Sequence, residues 1–152
     1  MKITVDLEAL SRELEDMKTN IQEGVKAGLM QVAKDMEYME KEFIAQTTGQ
    51  GEYVPTGNLK RSVTIMPMEF SPNGTSITVT PYINYAIYVE LGTGKYASNG
   101  GGRQDGWVYP VGDGTYRFTM GIPPHFFVQS TYEYFNDGKA KAIIEEKINT
   151  RL

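Results

Sequence analysis

The chain has 152 residues, 40% of them hydrophobic and 11% aromatic, which suits one folded domain (residues 1–152) that needs no staple or metal to hold it. It contains no cysteine, which removes disulfides, thiolate nucleophiles and cysteine-based zinc or iron–sulfur sites. A formal net charge of −4, with the two signs intermixed, argues against a non-specific nucleic-acid binder, which needs a basic face.

The first residues, Met1 to Asp6, lack the apolar core of a secretory leader, and no window reaches the ~20 apolar residues that span a bilayer. The expectation is a soluble intracellular domain. From residue 6 to about residue 45 the pattern is helical. Ile3, Leu7, Leu10, Leu14, Met17 and Ile21 recur at spacings of three and four, and Val25, Leu29, Val32, Met36, Met39 and Phe43 continue the stripe. Asp6 is suited to cap the start, because its carboxylate can accept from the free amides of the first turn.

Such a helix would be roughly 60 Å long, twice the ~30 Å diameter of a compact domain of this size. Gly24 and Gly28 sit in mid-pattern, and each weakens a helix by ~1 kcal/mol relative to alanine. They predict a bend, or the end of one helix and the start of another; the alternative is that one end projects and packs on another subunit. The front half is heptad-like for under three heptads, so the expectation is a core-facing amphipathic helix rather than a coiled coil.

Residues 47–58 are rich in turn formers. Leu59-Lys60-Arg61-Ser62 then suits one helical turn capped by Thr56 or Asn58. Residues 63–70 read as a strand in which Pro67 marks an edge or a bulge. Ser71-Pro72-Asn73-Gly74 is a turn, and residues 75–80 alternate, with Ile77 and Val79 on one face and threonines on the other.

Tyr82-Ile83-Asn84-Tyr85-Ala86-Ile87-Tyr88-Val89-Glu90-Leu91-Gly92-Thr93-Gly94 is the densest aromatic stretch. Tyr85, Tyr88, Val89 and Leu91 suit a short helix that buries one face, with its tyrosines as anchors, and stops at Gly92. Glu90 is its one carboxylate. A general acid or base role needs a partner, and no second carboxylate, histidine or nucleophile lies at a fitting spacing; an enzyme using Glu90 with Asp105 is the weakest reading. The structural expectation is that Glu90 accepts from amides of the glycine-rich loop that follows.

That loop, residues 92–106, fails as a phosphate loop because Lys95 is followed by Tyr96, and fails as a dinucleotide fingerprint because no glycine stands at 97. A stretch of this length without periodicity is read as a loop held out for a partner, with Lys95, Tyr96, Arg103 and Trp107 as candidate contacts. Trp107-Val108-Tyr109-Pro110 and Thr115-Tyr116-Arg117-Phe118-Thr119 flank an Asp-Gly turn and predict a second hairpin. Two prolines stiffen the approach to a C-terminal helix, Phe126 and Phe127 anchor it, and Asn136-Asp137-Gly138 breaks it. His125 is the sole histidine and lacks a ligand-type partner in sequence. These residues predict no catalytic site, cofactor or metal.

Three segments in this order carry a resemblance: Thr56-Gly57-Asn58-Leu59-Lys60-Arg61-Ser62, then Tyr85-Ala86-Ile87-Tyr88-Val89-Glu90-Leu91-Gly92-Thr93, then Gly121-Ile122-Pro123-Pro124-His125-Phe126-Phe127. Together they resemble the tail-component family of long-tailed bacteriophages and prophages, whose members are tail-completion or head–tail joining proteins. The resemblance covers nearly the whole chain; the extended 92–106 loop is a departure. It implies an α+β subunit with long N-terminal and C-terminal helices on a small antiparallel sheet. It also implies a virion protein assembled in the bacterial cytoplasm, working in a homo-oligomeric ring (a hexamer among the possible sizes) against neighbouring head–tail or tail-tube proteins. DNA would pass through without specific binding, and no membrane would be involved. The rival reading is a prophage-encoded adaptor that binds another protein through its aromatic surface.

Overall fold

A computed structural model describes residues 6–47 and 57–152. The turn-rich connection, Ile3 and the proposed cap Thr56 lie outside the described residues. The fold is α+β, with helices at both ends of the chain and small antiparallel ladders between them.

Helix α1 (Leu7–Thr47) is a single helix of 41 residues. Its start is set by Asp6, whose Oδ1 accepts from the amides of Glu8 and Ala9 at 3.0 Å each. The expected break at Gly24 and Gly28 is absent: the helix runs through both. The two glycines instead let another helix approach. A Cβ on Gly24 would lie 2.7 Å from the Cα of Ile148, and one on Gly28 would lie 2.7 Å from the Cα of Ile144. Helix α5 (Lys139–Asn149, with α2 to α4 located below) therefore runs antiparallel along this part of α1, backbone nearly on backbone.

The expected core-facing role of the front half is also corrected. Leu7, Leu10, Leu14, Met17 and Ile21 are all exposed. Length is the physical reason: the rest of the chain covers α1 only from about Gly24 onward, where Val32, Ala33, Glu40 and Ile44 become buried. No helix among the described residues is long and apolar enough to cross a membrane.

Helix α2 (Asn58–Ser62) follows Gly57, whose φ of 74° places it in the left-handed region. Gly57 is the cap position and Asn58 the first helical residue, so Asn58 is not the cap; the alternative, Thr56, lies outside the described residues. The turn delivers Leu59 into the core and passes directly into β1 (Val63–Ile65). β1 pairs with β4 (Val79–Pro81), and β2 (Glu69–Ser71) pairs with β3 (Gly74–Ser76), both antiparallel. The Met66 amide extends the first ladder by donating to Thr78 O at 2.8 Å. Residues 67 and 68 then face Ile77 alone before the second ladder begins at Glu69↔Ser76, so Pro67 sits in a bulge as its missing amide requires. At the far end of the bent hairpin, the Phe70 ring lies 5.6 Å beneath the Lys26 ammonium of α1.

Helix α3 (Ala86–Leu91) comes next, then the glycine loop, then the hairpin of β5 (Trp107–Pro110) and β6 (Tyr116–Thr119). Its turn is set by Asp113, which accepts from the Thr115 amide at 2.9 Å. Helix α4 (Phe127–Asn136) and α5 are separated by Gly138 at φ 82°, which is the expected break. One core joins the elements: Ile44 of α1, Leu59, Val63, Ala86, Val89 and Phe127, with Phe43, Val79, Ile83, Tyr85 and Ile122 around it.

The α1–α5 crossing makes a prediction that runs against helix propensity. Gly28→Ala should gain up to ~1 kcal/mol of intrinsic helix stability, but its methyl group would meet the Ile144 backbone. The expected net effect is a loss of about 1–3 kcal/mol, read as a lower midpoint in urea unfolding.

Candidate functional site

The site is built on α3, whose six residues leave its last carbonyls without partners inside the helix. Those carbonyls are met from elsewhere. His125 and Phe126 donate their amides to Val89 O (3.0 Å) and Glu90 O (3.1 Å), and Ser98 donates to Leu91 O (2.9 Å). The 125–126 segment then turns into α4 through Phe126, whose φ of 48° is the only positive value among described non-glycine residues. Phe126 supplies no side-chain cap to the helix it starts.

Glu90 supplies the cap instead. Its two carboxylate oxygens accept from the amides of Val128 (2.9 Å) and Gln129 (3.0 Å). A carboxylate at a helix N-terminus satisfies orphan donors and complements the helix dipole. The expectation that Glu90 holds the glycine loop is thus corrected: it holds α4. What fastens the loop is Thr93. Its amide donates to Ile122 O at 2.9 Å, and its hydroxyl accepts from the Ile122 amide at 3.1 Å. Lys95 continues the pairing by donating its amide to Met120 O at 2.8 Å.

The loop is not held out along its length. Gly94 (φ 58°) packs its Cα against Met120 O, and a Cβ there would also meet the Trp107 ring at 2.8 Å. Gly102 lies against the Gly94 carbonyl, and Gly121 against the carbonyl of Thr93. These close backbone approaches draw the loop's two ends together. Of the four candidate contacts, Lys95, Tyr96 and Arg103 are exposed, whereas Trp107 is half-buried against Gly94. Residues 98–101 form the exposed tip. Between the loop and the outer face of α3 lies a groove of about 360 Å³, lined by Ile87, Tyr88 and Leu91 on one side and by Ala97, Asn99 and Gly102 on the other. No carboxylate, histidine, lysine or arginine lines it.

The three sequence segments singled out meet here. Leu59, Ala86, Val89 and Phe127 share the core, Ser62 Oγ donates to Leu59 O at 2.7 Å, and the backbone of Gly92 (φ 74°) lies against Pro124. Pro123 is exposed, Phe126 is half-buried, and its neighbour Phe127 is the true anchor at 0% exposure. The tyrosines are not the expected anchors: Tyr85 packs on the core, but Tyr82 and Tyr88 are 79% and 60% exposed. Leu91 is exposed as well. The six-residue helix has room to bury only the face carrying Ala86 and Val89.

Sequence reasoning missed Glu40. It is 2% exposed on α1, and its Oε1 has no hydrogen-bond partner among the described residues. Burial first, and then the nearby Glu90 carboxylate, push its pKa up to about 7. The signal was its spacing: Glu40 stands seven residues after Ala33 and four before Ile44, both buried. A buried acid with a raised pKa is the kind of group that active sites use. Glu90, however, is engaged with two amides, and the groove it borders (Thr80, Ile83, Asn84, Ile87 and Val128 among its lining) contains no second titratable side chain. Asp105 is exposed on the loop, and His125 contributes its backbone amide to α3. Among the described residues, no group of three or more acidic, histidine or cysteine side chains is placed to hold a metal ion. The arrangement is a structural clasp beside an apolar groove.

Compared with known proteins, the chain matches no family model, no curated protein and no solved structure.

Two measurements check this account. Glu90→Ala should destabilise the protein by about 1–2 kcal/mol through loss of the cap, with the amides of Val128 and Gln129 losing protection in hydrogen exchange. Glu40 ionises at 4.5 in the unfolded reference and at about 7 in the folded chain, so between those values the folded state keeps a proton that the unfolded state has released. Its contribution to stability is therefore fully present below 4.5 and falls away as pH rises to about 7. Glu40→Gln should remove that slope. In urea unfolding the variant should gain stability relative to wild type at pH 8, by up to ~3 kcal/mol, and little at acid pH.

Proposed function

We propose that this chain is a structural subunit of a bacteriophage particle, a tail-completion or head–tail connector protein that acts by assembling into a ring and not by catalysis. The observation that carries the reading is the convergence of the three segments on which the family resemblance rests. Leu59 from the first, Ala86 and Val89 from the second, and Ile122 and Phe127 from the third pack into one core. Segments far apart in sequence that form one unit are a linked set, not three separate turns of phrase in the chain.

The surface supports the same reading. Apolar side chains stand outside the core on three separate elements: the α1 tip, the outer face of α3 (Ile87, Tyr88), and one face of the β5–β6 hairpin (Val108, Phe118, Tyr116). Contiguous exposed apolar surface marks interaction sites. Several such patches on one small subunit suit a cyclic assembly, in which each copy meets its two neighbours through different surfaces. The net charge of −4 suits a channel through which DNA slides without sticking. Such a protein would be assembled in the bacterial cytoplasm and carried in the virion, against head–tail or tail-tube neighbours.

The second reading, a prophage-encoded adaptor, is favoured by the groove of about 360 Å³ between α3 and the glycine loop, which could take one apolar side chain of a partner. Sedimentation velocity over a range of concentrations separates the two. Discrete, concentration-dependent oligomers are expected of the ring subunit, and a monomer at every concentration would favour the adaptor. In the phage that encodes the chain, deleting the exposed tip, residues 98–101, should spare folding and reduce the yield of tailed particles. Unchanged yield would remove the loop from the assembly contacts.

A further inference from the structure

We infer that the exposed front of α1 is covered by the β5–β6 hairpin of a second copy of this chain, its neighbour in the assembly. The inference rests on the ring reading and supplies one of the different-surface contacts that reading needs. On one side of the contact stand Leu7, Leu10, Leu14, Met17 and Ile21, between 39% and 74% exposed along one face of α1. On the other side stands the hairpin. Its register pairs Val108 with Phe118 and Pro110 with Tyr116, so these four side chains share one face of the ladder. All four are exposed, whereas the opposite face carries Trp107, packed on Gly94, and the buried Thr119. A two-stranded ladder with an apolar face is completed by a layer packed on it.

Reach decides that the partner is another copy. Ile122, at the root of the hairpin, packs on the same core as Ile44 of α1. Phe118 and Tyr116 stand only four and six residues before Ile122, which keeps the apolar face within ~20 Å of it. Along the helix, Met17 lies ~40 Å from Ile44 and Leu7 ~55 Å. The hairpin therefore falls short of its own α1 front. The uncovered front, ~25 Å long, extends far enough from the domain to lie on a neighbour.

Charge and shape select the hairpin among the exposed apolar surfaces. Residues 6–23 carry six carboxylates against Arg12 and Lys18. Residues 92–121, the loop and hairpin together, carry Lys95, Arg103 and Arg117 against Asp105 and Asp113, so an acidic helix meets a basic surface. The outer face of α3 instead presents Ile87 and Tyr88 beside a groove, a shape that takes one side chain and not a helical ridge. At four residues per strand the hairpin spans ~13 Å, within the ~20 Å from Leu7 to Ile21. It lies on the stripe ahead of Gly24 without entering the place that α5 holds. The contact joins two different surfaces, so it repeats in one direction and closes into a ring where the rotation between copies allows. Five side chains against four fall short of the roughly 800 Å² per partner of a standard interface, so this contact works together with others of the ring.

Disulfide trapping tests the inference on the full chain, which has no cysteine of its own. Val108→Cys chains mixed with Leu10→Cys, Leu14→Cys or Met17→Cys chains should give a mixed dimer at one or more of the three. Self-linked dimers of any one variant should be several-fold scarcer, because a stripe position meets a hairpin position and not its own copy. Thr19→Cys, on the far side of α1, should also link to Val108→Cys several-fold less. All these positions are exposed, so each variant should keep the wild-type midpoint in urea. A chain carrying both Val108→Cys and the best stripe cysteine should link into a ladder that stops at the ring's copy number. Absence of a mixed dimer at all three positions overturns the contact. So does self-linking of stripe cysteines in excess of the mixed product, or linking to Tyr88→Cys in place of Val108→Cys. Unlinked cysteines in a preparation that still sediments as a ring overturn the contact and leave the ring reading standing. A ladder of ever longer open chains, from a protein that forms no ring before oxidation, supports the contact and removes the ring.

Discussion

A six-residue helix has more orphan backbone groups than internal hydrogen bonds, and here the deficit of α3 is met by the segment whose own helix α3 caps. The amides of His125 and Phe126 satisfy the carbonyls of Val89 and Glu90, while the Glu90 carboxylate satisfies the amides of Val128 and Gln129. Neither end is stable alone: α3 is too short, and α4 begins at a phenylalanine with no side-chain cap. The exchange locks two elements some forty residues apart, and Val89 and Phe127 belong to one core. Since α4 and α5 then lie along α1, the clasp also sets how the helical layer meets the hairpin layer.

The clasp has an electrostatic cost. Glu40, buried on α1, lies within reach of the Glu90 charge and is pushed toward neutrality near physiological pH. Glu90 is held by the amides of Val128 and Gln129, whereas Glu40 Oε1 has no hydrogen-bond partner among the described residues. Burial is the larger cause of the Glu40 pH response, and the clasp residue Glu90 adds to it.

The elements were legible in the sequence wherever a local rule decided them. Asp6 caps, Pro67 bulges, Gly92 and Gly138 stop helices, and Asp113 turns a hairpin, each for a reason confined to a few residues. Errors came where a distant segment decided. Gly24 and Gly28 carry the composition of a hinge, and only the approach of Ile144 and Ile148 reveals them as a packing groove. Glu90 has the chemistry of a cap, but nothing near it in sequence says that the amides lie 38 and 39 residues onward. The glycine loop looked unconstrained because glycine's use for close backbone contact leaves no pattern in one chain. Tyr82 and Tyr88 looked buried because aromatic density resembles a core, whereas a two-turn helix has one inner face.

The two glycines under α5 fix more than a local distance. With no side chain to act as a spacer, the backbones at Gly24 and Gly28 can neither slide nor roll without collision, so the rotational phase of α1 is pinned where the domain ends. The uncovered portion from Leu7 to that point is a lever about 25 Å long. A tilt of ~5° at the crossing displaces its tip by roughly 2 Å, a large part of a side chain's width. The crossing thus acts as the bearing of a cantilever, and substitutions there would misdirect the far end of the helix without touching a residue on it.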